Sequence, residues 1–166
     1  MKIILYLIGM VWLTVPIEDE DQTTLSEEEI EVILERHNYW RADVGIVEKL
    51  EWSNEMAELA ADWAKKLKKK GCAFEHRTDN KFGENLFKGT SGAFDAKYVV
   101  DAWASEKEDY NYNRNKCKSG KMCGHYTQIV WQNTKKVGCA KIVCDGMDIW
   151  VCNYDPPGNW VGEKPY

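Results

Sequence analysis

Two β-prone runs in the last third of the chain, KKVGCAKIVC and MDIWVCNYD, flank Asp145-Gly146, a dipeptide that favours a two-residue type I′ hairpin. Counting outward from that turn sets Cys144 against Met147 and, five pairs further out, Cys139 against Cys152. Hydrogen-bonded and non-hydrogen-bonded pairs alternate along an antiparallel ladder. The 139/152 pair falls on a non-hydrogen-bonded position, where α-carbons come to about 4.5 Å, within disulfide range. A turn at one end and a bridge near the other leave such a hairpin almost no freedom of register.

The remaining cysteines fit the same picture. Cys117 and Cys123 close the short glycine-containing loop KSGKM, a reasonable local bridge, which leaves Cys72 with Cys144. Six cysteines without a C-x-x-C pair speak for an oxidising compartment rather than a zinc ribbon or thiol redox chemistry. The first residues agree: one lysine, an apolar run from Ile3 to Leu13, then Pro16 and an acidic stretch. That run is too short to cross a bilayer, so residues 1–18 read as a secretory signal peptide, with the mature start between Thr14 and Glu20. The expectation is a secreted, extracellular protein without a transmembrane span.

Ser26 and Glu29 form a capping box that starts a first helix, with Ile30, Ile33, Leu34 and His37 at helical spacing and Gly45 ending it. His37 continues this stripe and reads as a hydrogen-bonded core histidine. A second helix runs from Asn54 to Lys70 between Ser53 and Gly71, with Met56, Leu59, Ala60, Trp63, Ala64 and Leu67 on one face. Its five clustered lysines, Lys65, Lys66, Lys68, Lys69 and Lys70, read as a solvated helix end suited to the negative pole of the dipole. GENLFKGTSG, 83–92, reads as a glycine-punctuated loop. A third helix follows over 94–108 with Ala96, Val99, Val100 and Trp103 on one face, and that stripe continues onto Glu106. A carboxylate there needs a partner.

A net charge of −5 excludes the basic surface that nucleic acid requires. The 166 residues suffice for one domain with a real core.

Four motifs now stand in order: HNYWR (37–41), GEN (83–85), GHYTQIVWQNT (124–134) and IWVCNYDPPGNW (149–160). Together they resemble the CAP superfamily of pathogenesis-related-one proteins, antigen-five allergens and cysteine-rich secretory proteins, over residues 26–166 as a single domain. The resemblance implies an α+β fold, a three-layer α-β-α sandwich with a central antiparallel sheet, stapled by Cys72–Cys144, Cys117–Cys123 and Cys139–Cys152. It also implies a cleft built from His76, Glu84, Glu106 and His125, with His76 and His125 as ligands for a divalent metal such as zinc, calcium or magnesium. Arg77 stands where the family commonly has serine, a change expected to alter the cleft rim.

The resemblance further implies a non-enzymatic binding module, a monomer or weak dimer, whose partner is a protein receptor or a sterol or other lipid. Phe87 and Phe94 are considered both as a mobile lid for an apolar ligand and as ordinary core residues, the second reading slightly ahead. A protease using water activated by metal or by His and Glu ranks second, since neither G-x-S-x-G nor H-E-x-x-H occurs. A channel-modulating toxin ranks third.

Overall fold

A computed structural model describes residues 23–79 and 81–166. The expected signal peptide lies outside the described residues. The first helix, α1 (Glu27–Asp43), has its capping box in place, Ser26 and Glu29 each accepting the other's main-chain N–H. After a two-residue strand β1 (Glu51–Trp52), α2 (Asn54–Lys69) starts on Ser53, whose hydroxyl accepts from Met56 N–H. The lysines at its end are exposed or half-buried, as a solvated helix end requires.

The stretch 83–92 is not a loop. Gly83–Thr90 form a strand, β2, paired at all eight residues with β6 (Met147–Asp155). Two of the glycines read as turn markers are there for room instead. A β-carbon on Gly83 would meet the Gln128 carboxamide at 2.1 Å, and one on Gly89 the Phe94 ring at 2.5 Å. The chain turns only afterwards, at Gly92, whose φ is +73°. Phe87 therefore sits within a paired strand, edge-on to Phe94 with ring centres 5.4 Å apart, and both pack on the core rather than form a lid.

The third helix is also shorter than its apolar stripe suggests. The helix α3 spans Ala96–Ala104, capped by Asp95, and Ser105–Asp109 tighten into a 3-10 turn that carries Glu106. Two short strands, β3 (Tyr110–Asn111) and β4 (Lys116–Cys117), form a separate ladder, and α4 (Gly124–Ile129) follows.

The strand β5 (Lys136–Cys144) pairs antiparallel with β6 in the register read from the turn, Cys144 opposite Met147 and Cys139 opposite Cys152. The latter α-carbons lie 4.1 Å apart, as a non-hydrogen-bonded pair demands. All three disulfides join the expected cysteines. The sheet order is β1-β5-β6-β2, antiparallel apart from the two-residue parallel pairing of β1 with β5.

Both faces of the sheet are covered. Ala140, Ile142, Ile149 and Val151 pack against Ala60, Trp63, Ala64 and Leu67 of α2. Val137, Cys139, Trp150, Cys152 and Tyr154 face the opposite way, into a core with Ile33, Val99, Trp103, Tyr126 and Ile129 from α1, α3 and α4. Alternate residues of β5 and β6 thus serve different cores, which is why both strands read as nearly unbroken apolar runs. The result is an α-β-α sandwich. The sheet brings the start of β2 beside α4, and with them two of the residues singled out in the sequence.

Candidate functional site

His125 enters the site on the first turn of α4, and Glu106 reaches it from the 3-10 turn after α3. Glu106 Oε1 lies 2.6 Å from His125 Nδ1, and Oε2 accepts the main-chain N–H groups of His125 at 2.9 Å and Tyr126 at 3.3 Å. The half-buried carboxylate on the helical stripe has found its partner. Behind the ring, the Trp103 indole stacks on His125 at 6.1 Å between centres and 20° between planes.

The second pair repeats this logic. Glu84 on β2 places Oε1 2.7 Å from His76 Nδ1 and accepts the main-chain N–H of Arg77 at 3.1 Å. Its side chain is 5% exposed while that of His76 is 60% exposed, so a buried carboxylate holds an exposed imidazole at the surface. The hydrogen bond His76 donates to Glu84 raises the His76 pKa against an opposing contribution from partial burial.

A cleft of about 300 Å³ is lined by His76, Glu84, Asn85, Met122, Cys123, Gly124, His125 and Asn159. Glu106 stands behind His125 rather than in the wall. Each histidine therefore has Nδ1 engaged by a carboxylate, leaving Nε2 as the ring nitrogen with a free lone pair when the ring is neutral. Among the described residues, one group of three ligand-bearing side chains gathers within 4.8 Å, namely Cys72, Cys144 and Asp145. Both of its sulfurs are in a disulfide, so it offers a metal only one carboxylate.

Arg77 does not shape the rim as expected. Its guanidinium turns onto α2, donating to the Leu59 carbonyl and to Asp62, with its centre 5.3 Å from the Trp63 ring.

Asn85, Tyr154 and Arg41 support the site in ways not apparent from spacing alone. Asn85 donates to the His125 carbonyl at 3.1 Å and to the Tyr154 hydroxyl at 3.2 Å. Tyr154 in turn donates to His37 Nε2 at 2.9 Å, and His37 Nδ1–H donates to the Ile33 carbonyl at 2.7 Å. The buried His37 is thus a core residue, connected to the backbone of the cleft histidine through two side chains. Arg41 is also buried and donates to the carbonyls of Ile129, Trp131 and Thr134, fixing the chain after α4. His37 and Arg41 lie one helical turn apart, so a motif with that spacing marks a structural pair.

Comparison with known proteins agrees with this arrangement. Residues 34–154 match the cysteine-rich secretory protein family, CAP. The chain is 45% identical over 131 residues to pathogenesis-related protein PR-1 of Medicago truncatula, covering 78% of this chain and 74% of that protein. It is 44% identical over 134 residues to pathogenesis-related protein 1A of Nicotiana tabacum, covering 80% and 78%. Among solved structures, NaASP2 with Zn2+ is similar at a TM-score of 0.69 and 27% identity, with 86% of each chain covered. Venom allergen-like protein 4 of Schistosoma mansoni is similar at 0.69 and 25%, covering 86% of this chain and 95% of that one. By sequence, motif order and fold, the chain belongs to the CAP family of cysteine-rich secretory proteins.

Proposed function

We propose that the protein is a secreted, non-enzymatic binding module whose cleft takes a divalent cation, zinc foremost, between His76 and His125. The observation that carries this reading is the matched pair of imidazole–carboxylate contacts, 2.7 Å at His76 and 2.6 Å at His125. Carboxylates on Nδ1 fix the tautomer and make Nε2 a better donor, the arrangement typical of metal-ligating histidines. The buried Glu84 Oε2, which has no hydrogen-bond partner among the described residues, adds negative potential at the same wall. The residues present thus supply the donor types that such an ion takes, two imidazoles and two carboxylates. When bound, a divalent cation supplies a Lewis-acidic anchor for a carbonyl or anionic group of a partner. The similar NaASP2 structure contains zinc, which supports the choice of metal.

Among the described residues, the lining side chains include no serine or threonine hydroxyl, and Cys123 is oxidised, which favours binding over covalent hydrolysis. The names of the plant relatives support a role in defence, and three disulfides support life outside the cell. Calorimetric titration with zinc tests the reading. Uptake in the wild type that disappears in His76→Ala/His125→Ala supports it, and no uptake, or equal uptake by the variant, overturns it. Peptide hydrolysis that is abolished in His125→Ala would overturn the non-enzymatic assignment.

A further inference from the structure

We propose a second binding face beside the metal cleft, formed by the 110–122 segment and the turn carrying Trp160, which takes an acidic oligosaccharide. This proposal does not rest on metal binding in the cleft.

Charge is the first observation. Although the chain carries −5 overall, residues 110–122 hold Arg114, Lys116, Lys118 and Lys121 and no carboxylate. Asp109 engages Lys118 at 3.0 Å and Lys121 at 3.8 Å. Arg114 and Lys116 have no carboxylate partner among the described residues. Lys164 adds a further cation, 4.2 Å above the Tyr112 ring. A local excess of cations on an acidic protein selects an anionic ligand and sets its orientation.

Shape is the second. A cavity of about 320 Å³ opens between Lys116, the Cys117–Cys123 bridge, Trp131, Asn159 and Trp160. Its polar walls are already satisfied from within. Asn159 accepts from Thr127 Oγ1 at 2.6 Å and donates to the Gly124 carbonyl at 2.9 Å. Asn115 accepts from Tyr110 Oη at 2.7 Å and donates to the Glu163 carbonyl at 2.8 Å. What remains for a ligand is the ammonium of Lys116, the carboxylate of Glu163 and the indole of Trp160.

That indole is the third observation. Trp160 is 56% exposed, yet the turn presenting it is tightly fastened. Gly158 lies so close to Trp131 that a β-carbon would meet the ring at 2.7 Å, and its N–H donates to Gln128 Oε1 at 3.0 Å. Further along, the Pro165 carbonyl accepts from Gln132 N–H at 2.7 Å. Val161 beside it is fully exposed, and tryptophan is among the residues most enriched at the centre of binding surfaces.

Together these features fit a sugar chain. The apolar face of a pyranose ring stacks on a flat indole, as other flat apolar surfaces do. Its carboxylates or sulfates meet Lys116 in the cavity, with Arg114 two residues away on the same segment outside the lining, and its hydroxyls both donate and accept, which suits Lys116 and Glu163 together. A bilayer surface does not fill a walled concavity, whereas a discrete polar chain does.

The test is calorimetry, with chelator present, using an oligogalacturonate, a sulfated glycosaminoglycan fragment and a neutral cello-oligosaccharide of equal length. Binding of either acidic probe, weakened by added salt and absent for the neutral one, supports the proposal without relying on any variant. Arg114→Glu/Lys116→Glu and Trp160→Ala are each expected to weaken it about tenfold or more. Equal binding of the neutral probe, unchanged affinity in both folded variants, or no binding of either acidic probe overturns it. Binding to phosphatidylserine vesicles in place of the oligosaccharides also overturns it, and identifies the face as a lipid surface.

Discussion

Glu106 holds His125 at two points, its Oε1 2.6 Å from the ring Nδ1 and its Oε2 2.9 Å from the main-chain N–H of the same residue. The carboxylate therefore sets both the ring orientation and the start of α4. Glu106→Gln keeps the volume but loses the charge, and its amide can serve only one of the two donors through oxygen. If the cleft takes zinc as proposed, its affinity is expected to fall about 10- to 100-fold, the usual cost of removing such a support. Calorimetry on folded Glu106→Gln checks this, and wild-type affinity would show that Glu106 has no part in presenting His125.

The pH response of the cleft follows from Glu84. Its hydrogen bond raises the His76 pKa above 6.5, favouring the protonated ring. A metal needs the neutral ring, so the proposed uptake at His76 would release a proton and strengthen as pH rises through the raised value. The stabilisation that His76 itself gains from Glu84 runs the other way, present below 6.5 and lost as pH climbs through the folded-state pKa. It is small because the ring is largely exposed. A nuclear magnetic resonance titration should place the His76 midpoint above that in Glu84→Gln. Coincident midpoints would mean that the carboxylate does not govern the ring.

His37 behaves in the opposite sense. Complete burial pushes its pKa from 6.5 down to about 4, against the favourable Ile33 carbonyl contact. Between those values the unfolded chain binds more protons than the folded one, so stability falls as pH falls. The contribution of this residue is about 1–3 kcal/mol across that window. Urea unfolding at neutral pH and at pH about 5 should show the loss, with a flatter profile in His37→Gln. Identical profiles would locate the acid sensitivity elsewhere.

Arg41 places a guanidinium in the interior whose hydrogen bonds go to main-chain carbonyls, with the Glu48 carboxylate near enough to oppose part of the burial effect. Its donors meet main-chain carbonyls of the segment after α4, and burial lowers its pKa to about 10. Truncation to alanine strands those carbonyls and opens a cavity, so Arg41→Ala should lose about 3–5 kcal/mol. Arg41→Lys recovers part of this, since lysine reaches fewer acceptors. Chemical denaturation of both variants checks the order.

Gly138 is where α2 touches the sheet most closely. A β-carbon there would lie 2.3 Å from the Ala57 nitrogen and 2.4 Å from the Ser53 carbonyl oxygen, both backbone atoms that cannot swing aside. Gly138→Ala should therefore destabilise the protein by about 2–4 kcal/mol, through displacement of the α2 start. A melting temperature within error of the wild type would show that the helix shifts freely.

How much of this was legible beforehand depended on the range of the interaction. The hairpin register came from Asp145-Gly146 and strand alternation, and it carried the Cys139–Cys152 bridge with it, because a turn and a ladder are local objects. The helix starts at Ser26 and Ser53 followed from side-chain capping within three residues. His76, Glu84, Glu106 and His125 were named through motif resemblance, and spacing alone supplied only the hint that Glu106 needed a partner. That His76 belongs with Glu84 and His125 with Glu106 was decided by tertiary structure, since the members of the second pair sit on separate elements and the first pair meets only once β2 joins the sheet. The same holds for the mistaken loop. Gly83 and Gly89 carry no sequence mark distinguishing a turn from a close approach, and it is pairing with β6, with Gln128 and Phe94 packed against the glycines, that makes that stretch a strand. Local hydrogen bonds and periodicity are written in neighbouring residues, whereas contacts between distant segments depend on how the layers close around the core.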